Sequence, residues 1–483
     1  MEYIKKDYKN LVNGEWVDAT SKEVITINSP IDNSILGSIP AFSKEDIDKA
    51  VYSAKQKQKE WAAIPMFERA NIMYKAAQLL EERAEEIAHV LMLEVAKDYK
   101  SSLSEVARSA DFMRFSADIA KSLEGNALNG ESFPGGSKNK ISFVKRVPLG
   151  VVLAISPFNY PINLSISKIA PALMIGNSVV LKPATQGCIS ALHLVKVLHD
   201  AGVPNGVINT VSGKGSVIGD YIVQHEDIDF INFTGSTEVG KHISSIAKMT
   251  PIMMELGGKD AAIVLPDADL EFAAKNIVDG AFSYSGQRCT AVKRVLVDNV
   301  TASQLLPLLE KYIKELKVGL PQDNADIVPL INYQALEKGK QLIDDALLKG
   351  ATLITGNKVE GHILYPTLLD NVKQDMDIAW VEPFAPILPV IRIDNIDEAI
   401  EIANKSEYGL QSAIFTNDIN RAFYIAEQLE VGTVQINNKT ERGPDHFPFT
   451  GVKASGLGTQ GVKYSIEAMS RAKAITINLQ EPK

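Results

Sequence analysis

Between residues 150 and 260, short apolar, β-prone runs alternate with stretches of helical periodicity, and that alternation limits the possible folds more than any other feature of the chain. The runs are "VVLAIS" (151–156), "SVVLKP" (178–183), "GVINTV" (206–211), "DFINFTG" (229–235) and "IMMELGG" (252–258). Between them lie helix candidates such as "ISALHLVKVLHDAG", with Leu192, Val195, Leu198 and His199 at helical spacing and Gly202 as a stop. Strands separated by helices of this length connect by right-handed crossovers, which predicts a doubly wound parallel sheet covered on both faces. The spacing predicts long amphipathic helices over 43–124, with a Ser-x-x-Asp start at Ser43 and "EERAEE" as a solvated helix face. A second α/β alternation follows Cys289: "RVLVDN", helices near 301–316 and 334–349, "ATLITG", "ILPVIRID" and a helix near 396–405. The pieces "KISFVKRVPLG" (140–150) and "AKAITINL" (472–479) stand outside both patterns and read as a paired flap of the kind that joins subunits.

Charge and punctuation exclude several classes. With 59 acidic against 50 basic side chains the formal charge is -9, which opposes binding to nucleic acid or anionic membrane, so an anionic ligand needs a local cluster of cations. Between Arg146 and Lys182 the single charged side chain is Lys168, but Pro157, Asn159, Pro161 and Asn163 interrupt the run before it reaches the ~18 apolar residues of a membrane span. A buried strand–helix–strand unit is expected instead. Two cysteines are too few for a disulfide framework, and "MEYIKKDYKN" has no apolar signal region, so the reducing cytoplasm is the expected compartment.

Cys289 lies in "YSGQRCTAVKR", a polar, glycine-containing stretch, directly after Arg288. A fixed positive charge beside a partly exposed thiol favours the thiolate and marks a nucleophile, whereas Cys188, in "TQGCISALHL", reads as a structural thiol. None of the seven histidines stands in a cysteine-protease signature, and serine-hydrolase, zinc-peptidase and metal signatures are missing as well. "FTGSTEVGKH" nearly completes a phosphate loop through Gly235, Gly240 and Lys241, but His242 occupies the place of the magnesium-binding hydroxyl. A strand end at Gly235 and a helix start at Ser236 remain, able to hold a pyrophosphate or simply to cap a helix. Glu255, at the end of an apolar strand before Gly257-Gly258, reads either as a structural acid or as a base with a tuned pKa.

Taken together, "SPFNYP", "LKPA", "FTGSTEVG", "MELGGKD", "GQRC", "EPF" and "GVKASGLG", in this order, resemble the aldehyde dehydrogenase superfamily over essentially the whole chain. The resemblance implies a Rossmann-like cofactor domain over 1–255, a catalytic domain over 256–445 and an oligomerisation β-flap from 130–150 plus 460–483, in a homodimer or homotetramer. It implies Cys289 as nucleophile, the Asn159 amide as oxyanion donor and Glu255 as the base that activates water on a thioester. It places the cofactor on Lys182, Thr185, Gly235, Ser236, Glu382 and Phe384. Thr185 stands where NAD-preferring relatives often carry an acid, which implies NADP. Arg288, Arg108, Arg442 and Tyr160 resemble the group within that superfamily that oxidises glyceraldehyde 3-phosphate without inorganic phosphate, where several cations suit a phosphate. Each arginine also has a plain structural reading, and Arg108 could pair with Asp111 or Glu105 on its own helix. A semialdehyde dehydrogenase acting on a carboxylate-bearing aldehyde would also carry "GQRC". A phosphate-loop transferase and a non-catalytic binding protein are the rivals from other classes.

Overall fold

The computed structural model describes residue 4 and residues 7–480. Four N-terminal helices, α1 (Lys44–Ala63), α2 (Met66–Glu82), α3 (Ala84–Val95) and α4 (Tyr99–Lys121), pack beside a six-stranded sheet. The Ser43 hydroxyl accepts from the Asp46 amide while the Asp46 carboxylate accepts from the Ser43 amide, a reciprocal cap that fixes where α1 begins. The run 81–86 differs from expectation: it spans the break at Arg83 between α2 and α3, and Glu81 binds Arg114 of α4.

The sheet lies in the order 456–457, 252–255, 230–234, 151–156, 178–183, 208–210, parallel throughout except for the short 456–457 edge. Helices α5 (Asn163–Ile175), α6 (Cys188–Ala201), α7 (Gly215–Val223) and α8 (Thr237–Ile246) make the crossovers. The chain winds outward from 151–156 to 208–210 and then returns to the other side at 230–234, so the winding reverses between strands 151–156 and 230–234. Ligands of doubly wound sheets bind at the carboxyl ends of strands at such a reversal. Asn159, Gly235 and Glu255 all stand at those ends. Every residue of α5 is buried, which accounts for the membrane-like hydropathy of this region; each large apolar side chain so buried contributes about 1.5–3 kcal/mol. Among the described residues no helix is long and apolar enough to cross a membrane.

Gly257-Gly258 carries the chain from strand 252–255 into strand 261–264 of a second, seven-stranded sheet ordered 352–355, 367–370, 387–393, 294–298, 261–264, 411–415, 433–436. Helices α9 (Leu270–Phe282), α10 (Asn299–Glu315), α11 (Tyr333–Leu348), α12 (Ile396–Asn404) and α13 (Ile419–Gln428) accompany it, and α14 (Val462–Ala468) returns against α4 and α5. Strand 470–478 pairs antiparallel with 140–148, which pairs with 126–129, a separate three-stranded sheet far apart in sequence.

Candidate active site

The segment before Cys289 is bent by three successive left-handed residues, Tyr284 (φ 52), Ser285 (φ 53) and Gly286 (φ 69). For the two with side chains this conformation costs on the order of 1–3 kcal/mol each and persists only when the surroundings enforce it. They do so here. The Tyr284 hydroxyl donates to the Val95 carbonyl, Ser285 Oγ bonds both the amide and the carbonyl of Val328, and Gln287 Oε1 accepts from the Ile331 amide. The loop carries Cys289, half-buried, to the seam between the two large sheets.

Asn159 Nδ2 donates to the Gln287 carbonyl at 2.9 Å, tying the carboxyl end of strand 151–156 to the cysteine loop. The turn that follows is fixed from α4: Glu105 Oε1 accepts from the amides of Ile162 and Asn163, and Lys97 pairs with the same fully buried carboxylate. The Lys97 ammonium sits 3.5 Å from the centre of the Tyr160 ring, so a cation supports that phenol from behind. Lys97→Met would leave Glu105 buried without its counter-charge, a loss of about 3–5 kcal/mol. Urea unfolding of that variant, compared with Lys97→Met/Glu105→Gln, checks this: the double variant is expected to recover most of the loss.

Glu255, almost completely buried, accepts from Arg442 Nη1 at 2.9 Å on both oxygens and from Thr234 Oγ1 at 3.1 Å. Lys168, the lone cation of the apolar run, donates to that threonine at 2.7 Å, and burial pushes its pKa down to about 7. Arg108 does not use either acid on its own helix. It reaches Asp445 with two bonds of 2.7 and 2.8 Å, donates to the Arg442 carbonyl at 3.1 Å and has Tyr160 as a neighbour. Gly443 makes room for this: its φ of 126 is open to glycine, and a Cβ there would press 3.3 Å from the Arg108 guanidinium. The structure thus brings Arg108, Tyr160, Arg442 and Glu255 together.

Arg288 is placed differently. Its Nη2 donates to the Gly280 carbonyl at 2.5 Å, and its buried Nε has no partner among the described residues. The expectation that Arg288 charges the thiol is therefore corrected. Burial pushes Cys289 up to about 11, and the cation that opposes this most is Lys293, with Arg442 adding to it and Glu255 and Glu382 working against both. Adjacency in sequence did not make Arg288 a leading charge on the thiol; its guanidinium is bonded to the Gly280 carbonyl instead.

On the other side of the seam, Gly235 ends its strand and Ser236 caps α8, its hydroxyl accepting from Val239. Lys241 pairs with Glu407, and His242 with Asp220, so the near-match to a phosphate loop turns its lysine to an exposed ion pair. Lys182 is buried, with one weak bond of 3.4 Å to the Pro183 carbonyl, and Thr185 stands half-buried nearby. Glu382 accepts from the Gly258 amide at 3.1 Å and closes over Gly257, where a Cβ would stand 2.2 Å from its oxygen. Phe384, at φ 49, packs edge-on against Phe158. Among the described residues no group of acids, histidines and cysteines could hold a metal.

The model of the aldehyde dehydrogenase family matches residues 16–475. The chain belongs to the aldehyde dehydrogenase family. Within that family it is 56% identical over 474 residues to the NADP-dependent glyceraldehyde-3-phosphate dehydrogenase of Streptococcus equinus, covering 98% of this chain and 99% of that one. It is 48% identical to the enzyme of the same name from Pisum sativum, covering 98% and 96%. The crystal structure of NADP-dependent glyceraldehyde-3-phosphate dehydrogenase from Bacillus halodurans, complexed with NADP, superposes with a TM-score of 0.98 at 54% identity, covering 99% of this chain and all of that one. The aldehyde dehydrogenase fold is thus shown over its full extent. Of the residues now seen around the family's cysteine loop, Lys97, Thr234, Asp445 and Lys293 were not singled out from the sequence. Lys293 carried a signal, a charge inside the apolar run after Cys289, and Asp445 lies three residues from Arg442.

Proposed function

We propose that this protein oxidises D-glyceraldehyde 3-phosphate to 3-phosphoglycerate with NADP, without inorganic phosphate. The observation that carries this reading is the Arg108–Asp445–Arg442–Glu255 network, which sets two guanidinium groups beside the residue suited to activate water. The relatives above, which share this chain's full length, support the same substrate and cofactor.

The residues fit the cofactor. A buried, barely satisfied Lys182 ammonium beside Thr185 suits the extra phosphate of NADP, with no acid to repel it. The start of α8, where Gly235 leads into the Ser236 cap, suits the pyrophosphate, while Glu382 suits ribose hydroxyls and Phe384 lines that end. When bound, the nicotinamide accepts the hydride from the aldehyde carbon.

Cys289 attacks the aldehyde carbonyl. Asn159, with one amide hydrogen fixed on Gln287, directs the other at the developing oxyanion. Loss of hydride leaves a thioester on Cys289, which water then hydrolyses. In the free protein Arg442 Nη1 bonds both Glu255 oxygens at 2.9 Å, which keeps that carboxylate engaged. A substrate phosphate competes for Arg442 and Arg108, which frees Glu255 to take the proton from water. Tyr160, backed by Lys97, adds a donor, and Arg288, held in the free protein on the Gly280 carbonyl, adds its guanidinium to the phosphate when substrate is bound. Arg288→Leu is therefore expected to raise KM about tenfold or more for the phosphorylated aldehyde and to leave an uncharged aldehyde nearly unaffected. Equal losses on both in steady-state kinetics would reject the role.

The first large sheet serves the cofactor and the second the cysteine loop. The three-stranded sheet, with Phe143, Ile475 and Ile477 exposed, joins subunits into a dimer or tetramer. The enzyme works in the reducing cytoplasm, where both cysteines stay thiols. Product analysis with labelled inorganic phosphate present tests the whole reading: one 3-phosphoglycerate per NADPH with no label incorporated is expected, and label in the product would contradict it.

A further inference from the structure

Lys293 lies four residues beyond Cys289 and is almost wholly buried, its side chain 2% exposed. Its ammonium donates to the Cys289 backbone carbonyl and stands 3.1 Å from Glu382 Oε1, and its own amide donates to the Asp260 carbonyl at 2.9 Å. A desolvated ammonium must be held by acceptors. The acceptors here are the nucleophile's own backbone and the carboxylate that folds over Gly257. The charged groups that face it are Asp260 and Glu382 on the acidic side and Lys259 on the basic side, with Arg294, next in sequence, acting on the same Asp260 and Lys259. Arg294 is itself held by the carbonyls of Lys259 and Ala403, and its ring contact is to Trp380, so it is committed elsewhere.

We infer that Lys293 is a positioning residue for the oxidation: its buried ammonium holds the Cys289 backbone and is the cation against which the thiolate forms, with Glu382 opposing it. The inference rests on Cys289 being the nucleophile. Burial pushes this thiol up to about 11, Lys293 pulls it down more than any other group, and Glu382 pushes it up, consistent with the geometry. Arg442 also pulls it down, but that guanidinium is already engaged by Glu255.

The test is the rate of Cys289 alkylation by iodoacetamide against pH in the cofactor-free, full-length protein, with the label located by mass spectrometry. Cys188 is fully buried at the start of α6 and does not compete. Lys293→Met is expected to move the inflection up by about 1–3 pH units, the usual effect of removing a close opposite charge, and Lys293→Arg to keep it within about half a unit. Glu382→Gln is expected to move it down. General loosening of the site would not move the two variants in opposite directions. An unchanged inflection in folded Lys293→Met, or a shift of the same sign in both variants, overturns the inference; should Lys293→Met fail to fold, an unshifted Glu382→Gln profile overturns it instead. Alkylation needs no turnover, so these outcomes are separate from the reading of Cys289, which falls if Cys289→Ala keeps its activity.

Discussion

Cys289→Ala is expected to lose aldehyde oxidation by about 10⁴-fold or more while keeping its fold, because removing a covalent nucleophile eliminates the pathway rather than weakening one contact. The loop is held by Tyr284, Ser285 and Gln287, and the thiol itself is only half-buried, so its loss leaves those bonds in place. NADPH formation followed at 340 nm, beside thermal unfolding of the same sample, checks both halves. Activity within a hundredfold of the parent would mean that another group attacks the carbonyl.

The second large effect concerns Glu255. Glu255→Gln keeps a side chain that Thr234 and Arg442 can still bond, but removes the base, and general-base catalysis contributes roughly 10²–10⁴-fold. The expected signature is a split of the two half-reactions. One NADPH per active site forms in a rapid burst, and steady turnover then falls by about 10³-fold as the thioester on Cys289 waits for water. Rapid mixing followed by intact-mass measurement of the acylated subunit reads both. A loss of burst and turnover together would place Glu255 before hydride transfer, as the base for the thiol.

How much of this was legible depends on the range of each interaction. The strands at 151–156, 178–183 and 230–234 and the helix at 188–201 follow from local periodicity and from Gly202 as a stop, which are written in neighbouring residues. The pairing of 140–148 with 470–478 was legible because both are β-prone and neither fits the α/β alternation. Arg108 shows the limit. Its acid is Asp445, 337 residues away, and nothing on the helix reveals that Glu105 is already taken by Lys97 and the amides of 162 and 163. Arg288 shows another: a charge next to Cys289 in sequence reads as a charge next to its sulfur. The Arg288 guanidinium is bonded to the Gly280 carbonyl, and Lys293 supplies the field instead. Lys168 was noticed as a solitary charge, yet its link through Thr234 to Glu255 requires knowing that strands 230–234 and 252–255 are neighbours.

The central claim is that paired arginines beside a water-activating acid select a phosphorylated aldehyde and make inorganic phosphate unnecessary. The most direct test is the initial rate of NADP and, separately, NAD reduction by the purified protein in buffer free of phosphate and arsenate, with glyceraldehyde 3-phosphate, succinic semialdehyde and unphosphorylated glyceraldehyde in parallel. Rapid NADP reduction with the phosphorylated substrate, and at least about a hundredfold lower kcat/KM with the other two, is the predicted result. Turnover of the carboxylate-bearing aldehyde with silence on glyceraldehyde 3-phosphate would leave Cys289 and the fold as described and contradict the substrate.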